Sequence, residues 1–497
     1  MKLTIQQMMV LGAFGTVVIV FLSMLNWRRA VHAAMVVALV EGAIRKWVFP
    51  QGSELVYFFK DIILLGAYLK FFMFPDPEIR AWRLRVPGTF IACVCLTLTF
   101  FGAVNPNVGS ALLAAYGLKI YVWYLPLAFM VPLLFRDEKQ MTEQLFRYSL
   151  FAIPICLLGV AQFFAGPDSP INTYATSDLA GVQDVATFGA GQAVRARITG
   201  TFSYIGGHNV FVVVFFIISL CLFLAMEGRR KMVLLFGNIP LLLINSFMTG
   251  SRYTVFALLG IAAIVGMTSI VGRVGKARNT FIYTILGIAV AVGGVGIFAK
   301  RAFEAFETRR QTAGDTFQGR AIWHPLAALG AAGSEVDVMG YGIGIIHPAT
   351  LGIRRALKIA NPKKPPPFYD SEPGQVLAEL GWPAFLMWYA LRIMMLMHCW
   401  QAFRESAPSI FKSLCLGFFC YHLLNLPGQM VYNHTANVFL CATWGFCLIP
   451  RLEHLMGRRK SALGPPQSPM STESSLPVRR GRRMPHSQPG RGIHSVR

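Results

Sequence analysis

The chain of 497 residues is 55% hydrophobic and only 14% charged, and its mean hydropathy is +0.52. Soluble proteins carry about 25% charged residues, so this composition excludes an ordinary soluble domain. In a soluble chain, the formal charge of +23 would indicate a nucleic-acid-binding protein. Here the basic residues occupy short loops and a tail, and the preference of such residues for the cytoplasmic side of a membrane explains their placement.

Long apolar blocks recur along the chain, each of roughly 18–25 residues and so able to cross a hydrocarbon core of about 30 Å as a helix. They predict an all-α polytopic membrane protein with about 12–13 transmembrane helices and exclude a β-barrel, whose strands alternate in polarity. The first block lacks a small-residue cleavage site and is predicted to be a retained helix. The spans are placed at 5–25, 31–49, 55–74, 87–105, 113–135, 147–166, 208–226, 231–248, 253–272, 280–299, 375–397, 410–425 and 435–450.

Cofactor and metal motifs are missing from the sequence. The nine cysteines lie in or beside apolar blocks, and no CxxC or Cys/His spacing typical of a metal site occurs. Disulfides and structural zinc are therefore not expected. No P-loop or other nucleotide motif is present either, so we expect no cofactor.

The short loops alternate in charge. One set carries basic clusters such as Arg28-Arg29, whereas the opposite set, including residues 51–54 and 105–110, has no Lys or Arg. The positive-inside rule places the basic set in the cytoplasm. With thirteen spans, the C-terminus is then cytoplasmic and the N-terminus lies outside.

The chain is predicted to divide into a transmembrane helical domain, 1–451, and a disordered basic cytoplasmic tail, 452–497, which is rich in Arg, Ser, Pro and Gly. Two long loops, 167–206 and 300–374, belong to the first domain and fall on the outer face. Long loops are translocated largely regardless of their charge, so their basic residues do not change this orientation. Because loops of this length are usually functional or disordered, any chemistry is expected on the outer face.

Charged residues also gather near one outer membrane edge, in "VEGAIRKWVFP" (40–50) and "FFKDIILLGAYLK" (58–70). They are Glu41, Arg45, Lys46, Lys60 and Asp61. One interpretation is that they pair with one another and extend to the interface. The alternative is that some of them hold a lipid phosphate.

Further motifs follow on the outer face: "RARITGTFSY" (195–204), "TGSR" (249–252), "GRAIWHP" (319–325), "YGIGIIHP" (341–348) and "YDSEPGQVLAELGWPAF" (369–385). Over roughly residues 195–400 they resemble the O-antigen polymerase and ligase family, which joins lipid-linked sugar chains on the outer face of the bacterial inner membrane. The family pattern is matched by Gly200-Thr201-Phe202, Ser251-Arg252, Arg320 with Trp323, Gly342 with Gly344, and Glu379 with Gly381. The "EGAIRKW" segment is similar to an exopolysaccharide polymerase subgroup of that family.

This resemblance implies a fold similar to metal-independent GT-C-like glycosyltransferases, with a long, partly helical periplasmic loop, and a polyprenyl-pyrophosphate donor. Arg252 and Arg320 would bind the pyrophosphate, because a guanidinium donates two parallel hydrogen bonds to phosphate and a helix start favours anions. Arg197 and His347 are further candidates for binding pyrophosphate or substrate. The alternatives are an interfacial arginine at position 252 and a loop salt bridge at Arg320.

The acceptor hydroxyl needs a general base or an orienting acceptor. Where the ligase branch of the family has a histidine, this sequence has Asp370, and Glu372 lies close by. Either carboxylate is the candidate base, and the departure favours a polymerase over a ligase. The alternative is that each carboxylate pairs with Arg354, Arg355 or Lys358.

Other polar residues have structural interpretations as well. His347 is either a ligand of the substrate or a surface group of its loop. Glu379 is predicted to cap or pair inside the bundle, and His422, Asn425 and His434 either line a sugar groove or form hydrogen bonds within the bundle.

These features predict a bacterial inner-membrane polysaccharide polymerase or ligase, acting on O-antigen, capsule or exopolysaccharide at the periplasmic face. Expected partners are a polyprenyl-pyrophosphate-linked glycan, membrane lipids and other polysaccharide assembly proteins, with no nucleic acid. The alternative is a secondary transporter or lipid-linked oligosaccharide flippase, whose site would lie in broken helices near the midplane of repeated halves. No clear repeat is visible, and the polar residues collect at the outer edge, which favours the enzyme.

Overall fold

The computed structural model describes residues 5–83, 88–175, 184–189, 194–271, 304, 307–308, 319–356, 358–360, 362, 367, 369, 371–428 and 430–452. This part of the chain is mostly helical, and its one sheet is a two-stranded antiparallel ribbon. The prediction of an all-α membrane protein is confirmed at this level. The predicted span at 280–299, and the predicted tail apart from Leu452, lie outside the described residues.

The α-helices of the N-terminal half are α1 (Ile5–Leu25), α2 (Trp27–Ala43), α3 (Ser53–Tyr68), α4 (Pro77–Arg83), α5 (Thr89–Ala103), α6 (Ala111–Val122), α7 (Leu125–Met130), α8 (Glu138–Ser149) and α9 (Ala152–Phe164). Short π-helical turns, Ile44–Val48 and Leu69–Met73, extend α2 and α3, and 3-10 turns occupy Pro50–Gly52, Pro106–Val108 and Val131–Leu133.

The first long loop contains the ribbon of β1 (Thr187–Phe188) and β2 (Arg195–Ala196). The α-helices that follow are α10 (Ile205–Ala225), α11 (Gly228–Val233), α12 (Ile239–Met248), α13 (Arg252–Val271), α14 (His324–Glu335), α15 (Pro348–Ala356), α16 (Glu372–Glu405), α17 (Ile410–Leu424) and α18 (His434–Cys447). Further π-helical turns cover Leu234–Asn238 and Gly319–Trp323.

Within the described ranges, five helical segments are long and apolar enough to cross a membrane, and the bent pair α6 and α7 adds a sixth if it forms one span. The five are Glu138–Phe164, Ile205–Ala225, Gly228–Met248, Glu372–Glu405 and His434–Leu452. Every predicted span within the described residues coincides with helix, but several of these helices are shorter than predicted. Others, such as α2 and α3, carry charges that lower their hydropathy.

Helix α10 forms the centre of the bundle. It is hydrophobic around its whole circumference, as expected for a helix with no solvent-facing side, and its side chains from Val210 to Phe223 are all buried. It contacts α8, α12, α13, α17 and α18. These five helices therefore surround α10.

Helix α16 is broken at Gly381, whose φ of 73° lies in the left-handed region that favours glycine. Pro383 follows two residues later and has no N–H, so the carbonyl oxygen of Glu379 lacks the donor that an intact helix would supply. The N–H of Gly342, in the segment before α16, donates to that oxygen at 2.9 Å. The second long loop is therefore joined to α16 where the helix is interrupted.

Two glycines let the loop approach the break closely. Tyr341 N donates to Ala378 O at 2.8 Å. A Cβ added to Gly340 would lie 2.5 Å from the backbone nitrogen of Gly381, and one added to Gly381 would lie 2.0 Å from Val338 O. The glycines of "MGYGIG" and the Gly-Trp-Pro of α16 therefore belong to one structural unit.

Candidate functional site

The turn that carries Arg252 is built by short-range hydrogen bonds. Thr249 Oγ1 donates to Ser246 O at 2.8 Å and accepts from Ser251 N at 3.1 Å. Gly250 has a φ of 63°, which reverses the chain after α12. Helix α13 then begins at Arg252, as the sequence predicts.

The first long loop braces this turn. Arg197, directly after β2, donates from Nε to Thr249 O at 2.9 Å. Phe188 of β1 packs against Gly250, where an added Cβ would lie 3.0 Å from the ring. Arg197 therefore positions the segment from which Arg252 extends, and its predicted role in binding pyrophosphate stays a prediction.

The Gly-Thr-Phe segment folds against the ends of α2 and α9. Gln162 Oε1 accepts from Thr199 N at 3.1 Å and from Gly200 N at 2.7 Å. Lys46 Nζ donates to Thr199 Oγ1 at 3.0 Å and to Gly200 O at 2.7 Å. A Cβ on Gly42 would lie 2.3 Å from the backbone of this segment, so only glycine permits the contact.

Paired charges lie beside this turn. Lys60 Nζ is 2.7 Å from Glu41 Oε2, which confirms the predicted pairing for these two residues. Asp61 Oδ2 is 2.8 Å from Lys119 Nζ, and Tyr124 OH donates to Asp61 Oδ1 at 2.6 Å. The partner of Asp61 is thus a lysine of α6 that the sequence analysis did not single out.

The remaining two cations of the N-terminal segment have neutral partners. Arg45 donates from Nε to Ser53 Oγ at 3.0 Å and from Nη1 to Ser203 Oγ at 2.9 Å. Lys46 contacts the Gly-Thr-Phe turn described above. Arg45 and Lys46 are 7% and 6% exposed, so this end of the bundle contains buried positive charge.

His347 lies next to the same cluster and is not a free surface group of its loop. Its Nδ1 accepts from Ala349 N at 3.2 Å and is 3.2 Å from Tyr116 OH, which assigns the proton of the neutral ring to Nε2. Burial, with a smaller contribution from the Lys119 charge, lowers the pKa of His347 to about 4. The ring is therefore neutral near pH 7, and its centroid lies 5.9 Å from that of His434.

Both carboxylate oxygens of Glu372 are engaged. Oε1 is 2.6 Å from Arg392 Nη1, and Oε2 accepts from Met430 N at 2.6 Å and Val431 N at 2.9 Å. Arg392 also donates to Asn425 O. Glu372 therefore fixes the connection between α17 and α18 to the start of α16.

The predicted pairing of this carboxylate with a cation is observed, but the predicted partner is wrong. Arg354, the buried one of the three cations considered, donates instead to three backbone carbonyl oxygens at 2.6 to 3.1 Å, two of them in the turn Pro106–Val108. Asp370 and the side chain of Arg320 lie outside what the structure describes, although the backbone of Arg320 belongs to the turn Gly319–Trp323.

Glu379 bonds within the bundle, as predicted. Its Oε2 accepts from Tyr121 OH at 2.7 Å, and its Oε1 accepts from Ile346 N at 2.8 Å and from Gln375 Nε2 at 3.3 Å. The Glu379 side chain thereby holds Ile346 in place, the residue directly before His347.

The connection between α17 and α18 also reaches the helix that begins with Arg252. Asn425 Nδ2 donates to the hydroxyl of Tyr253 at 2.8 Å. His422 Nε2 lies 3.0 Å from Thr443 Oγ1, so it bonds within the bundle. The candidate segments are thus linked at one end of the helices.

Sequence reasoning missed Lys119 and Arg392, the partners of Asp61 and Glu372 in two of the buried ion pairs. Both lie inside blocks that were interpreted only as apolar spans, 113–135 and 375–397. An ionisable residue inside a membrane segment is itself a signal that a partner exists, and that signal was available for both.

Comparison with known proteins gives no match. No protein-family model fits the chain, and neither the curated proteins nor the solved structures contain a similar one. The fold and the side chains described above define a helical membrane protein with a charged, hydrogen-bonded cluster at one end of its bundle.

Proposed function

We propose that this protein is a bacterial inner-membrane polysaccharide polymerase of the O-antigen polymerase and ligase type. It transfers a glycan from a polyprenyl diphosphate to an acceptor sugar hydroxyl at the periplasmic face, and its C-terminus is cytoplasmic. Polymerisation is favoured over ligation because Asp370 stands where the ligase branch has a histidine.

The observation that carries this proposal is that motif segments far apart in the chain are joined directly at one end of the bundle. Arg197 from the first long loop bonds to Thr249 of the turn before Arg252. Asn425, in the last connection between helices, bonds to Tyr253. A protein that only provides membrane structure has no need to bring these polar segments together.

In the proposed reaction, the acceptor oxygen bonds to the anomeric carbon of the donor glycan while the bond from that carbon to the diphosphate oxygen breaks. The lipid diphosphate leaves with the bonding electrons, and the hydroxyl proton passes to a base. Arg252 stabilises the leaving group through its guanidinium and the positive end of the α13 dipole. Arg320 is the proposed second member of this clamp.

Asp370 is the proposed base. Glu372 is the weaker candidate for the base, because both of its carboxylate oxygens already accept hydrogen bonds in the folded protein. His347 is neutral and can donate from Nε2, which suits binding of a sugar hydroxyl better than removal of its proton.

The break in α16 is the one observation that favours a transporter, because interrupted helices bind substrates and ions in such proteins. There, however, the freed carbonyl groups line a cavity. Here the carbonyl oxygens of Ala378 and Glu379 already accept from Tyr341 and Gly342. The enzyme is therefore the better supported function.

The test is a comparison of surface polysaccharide in a deletion strain of the native host, complemented with wild type, Arg252→Ala or Arg252→Lys. We expect Arg252→Ala to lower the amount of polymer by about 100-fold or more, since it removes a charge that stabilises the leaving group. Arg252→Lys keeps the charge without the fork and should retain part of the activity.

Arg230→Ala is the matched control, because Arg230 is an exposed arginine near the opposite end of α10, paired with Glu143. Membrane expression of each variant is measured in parallel. Single repeat units at the surface support a polymerase, whereas long lipid-linked chains without surface attachment indicate a ligase. Normal polymer from Arg252→Ala would overturn the site, and accumulation of the lipid-linked unit on the cytoplasmic side would favour the flippase.

A further inference from the structure

Two adjacent buried cations at the end of α2 face no carboxylate in the part of the chain that the structure describes. Arg45 donates to the hydroxyl groups of Ser53 and Ser203, and Lys46 donates to the hydroxyl of Thr199 and to the carbonyl oxygen of Gly200. Both are less than a tenth exposed. A buried charge without a counter-charge is strongly unfavourable, and an arginine cannot relieve this cost by losing its proton, so an anion is needed to complete the site.

Neighbouring carboxylates do not supply that anion. The Glu41 carboxylate is paired with Lys60 at 2.7 Å, and that of Asp61 with Lys119 at 2.8 Å. Among the described side chains, both carboxylates of the cluster are therefore already paired, and neither is left to balance Arg45.

Hydrogen-bonding groups next to these cations also lack partners. Both ring nitrogens of His434, whose ring contacts that of Tyr57, are buried without a hydrogen-bond partner among the described residues. The guanidinium of Arg45 lies 5.1 Å from the centroid of the Tyr57 ring, and the rings of Tyr57 and His434 are 5.4 Å apart. Buried polar groups are almost always bonded, so this arrangement indicates a missing ligand with several acceptor oxygens.

The rim of the cluster is aromatic and partly exposed. Trp47 is 37% exposed and donates from Nε1 to Pro170 O at 3.2 Å, and Tyr204, 38% exposed, donates to Ala175 O. Phe49 is 46% exposed beside them. Tryptophan and tyrosine with one polar and one apolar side are typical of the level of the lipid headgroups. The anion is therefore expected to come from a lipid and not from solution.

We infer that Arg45 and Lys46 form a binding site for the phosphate group of a membrane lipid. Arginine binds phosphate by two parallel hydrogen bonds, and lysine adds a second charge and a further donor. The site is separate from the role proposed for Arg252 and does not rest on the proposed function. Its test needs neither donor nor acceptor glycan.

The experiment is calorimetric titration of the purified full-length protein in a neutral detergent with dioctanoyl phosphatidic acid. Dioctanoylglycerol, which lacks the phosphate, and inorganic phosphate, which lacks the chains, are titrated separately. We expect the wild type to bind phosphatidic acid and Arg45→Gln and Lys46→Gln to bind it at least about tenfold more weakly. The control Arg230→Gln changes an exposed cation elsewhere and should bind as the wild type does.

Arg45→Lys keeps the buried charge and provides a variant that folds if a glutamine variant does not. It should bind phosphatidic acid several-fold more weakly, because it loses the planar fork. Equal affinity for inorganic phosphate would overturn the lipid assignment and identify a site for free phosphate. Unchanged affinity in folded Arg45 and Lys46 variants would overturn the site itself, as would equal binding of dioctanoylglycerol.

Discussion

Glu372 and Arg392 form a buried ion pair between the two parts of α16, on either side of the break at Gly381. The carboxylate also accepts from two backbone N–H groups of the connection between α17 and α18. Removal of one partner from a buried pair leaves the other charge uncompensated, which costs about 3–5 kcal/mol. A general base behaves differently, because its loss slows the reaction without unfolding the protein. Stability and activity measured together therefore separate the two roles of Glu372.

We predict that Glu372→Gln lowers the free energy of unfolding by about 3–5 kcal/mol, because Arg392 loses its counter-charge. The measurement is thermal unfolding of the purified protein in detergent. Glu143→Gln is the control: it breaks an exposed pair with Arg230 of the same length, 2.6 Å, and should change the unfolding temperature little. A variant with unchanged unfolding temperature but no polymer would identify Glu372 as the base instead.

At the scale of elements, the positions of helices follow from the sequence far better than their lengths and breaks. Wherever the structure describes a predicted span, a helix lies at that apolar block. The break at Gly381 and the docking of Gly342 on it were not predicted, because both depend on a contact between segments about forty residues apart that no periodicity records. The sequence could have indicated that Lys119 has a partner, but that this partner is Asp61 again depends on a contact between distant segments.

We predict that Gly381→Ala destabilises the protein by more than about 2 kcal/mol, since the new Cβ meets a backbone oxygen and the residue keeps a left-handed conformation. Thermal unfolding in detergent measures this effect, with Gly330→Ala as the control. Gly330 lies in α14 with open space around it, so alanine there should maintain or raise stability. An equal response of the two variants would contradict the proposed fit between loop and helix.

On the scale of the whole molecule, the helix ends near the start of α10 carry the candidate residues, and the basic segment Gly228–Val233 follows its other end. The two sets therefore lie at opposite ends of α10, and which end faces outward stays a prediction from the charge of the loops. Eight of the nine cysteines are buried and only Cys93 is exposed. Labelling of introduced cysteines can therefore determine the orientation directly.

We predict that Asp168→Cys, in a Cys93→Ser background, reacts with a membrane-impermeant maleimide in cells whose outer membrane has been made permeable. Arg229→Cys should react only after the inner membrane is opened as well. Both positions are exposed in the folded protein, so access to the reagent depends on the side of the membrane. The reverse pattern would place the candidate site in the cytoplasm and contradict the proposed function.

The fit between Gly340 and Gly381 also has a consequence for how this sequence can change over time. A Cβ at either position would overlap the backbone of the other segment. Neither glycine can therefore be replaced alone while the two segments stay packed together. Pro383 and the N–H group of Gly342 depend on each other as well, because Gly342 donates to the carbonyl oxygen of Glu379 that the proline leaves without a donor. In diverging sequences, the glycine-rich loop and the interrupted helix are therefore expected to be inherited together or lost together.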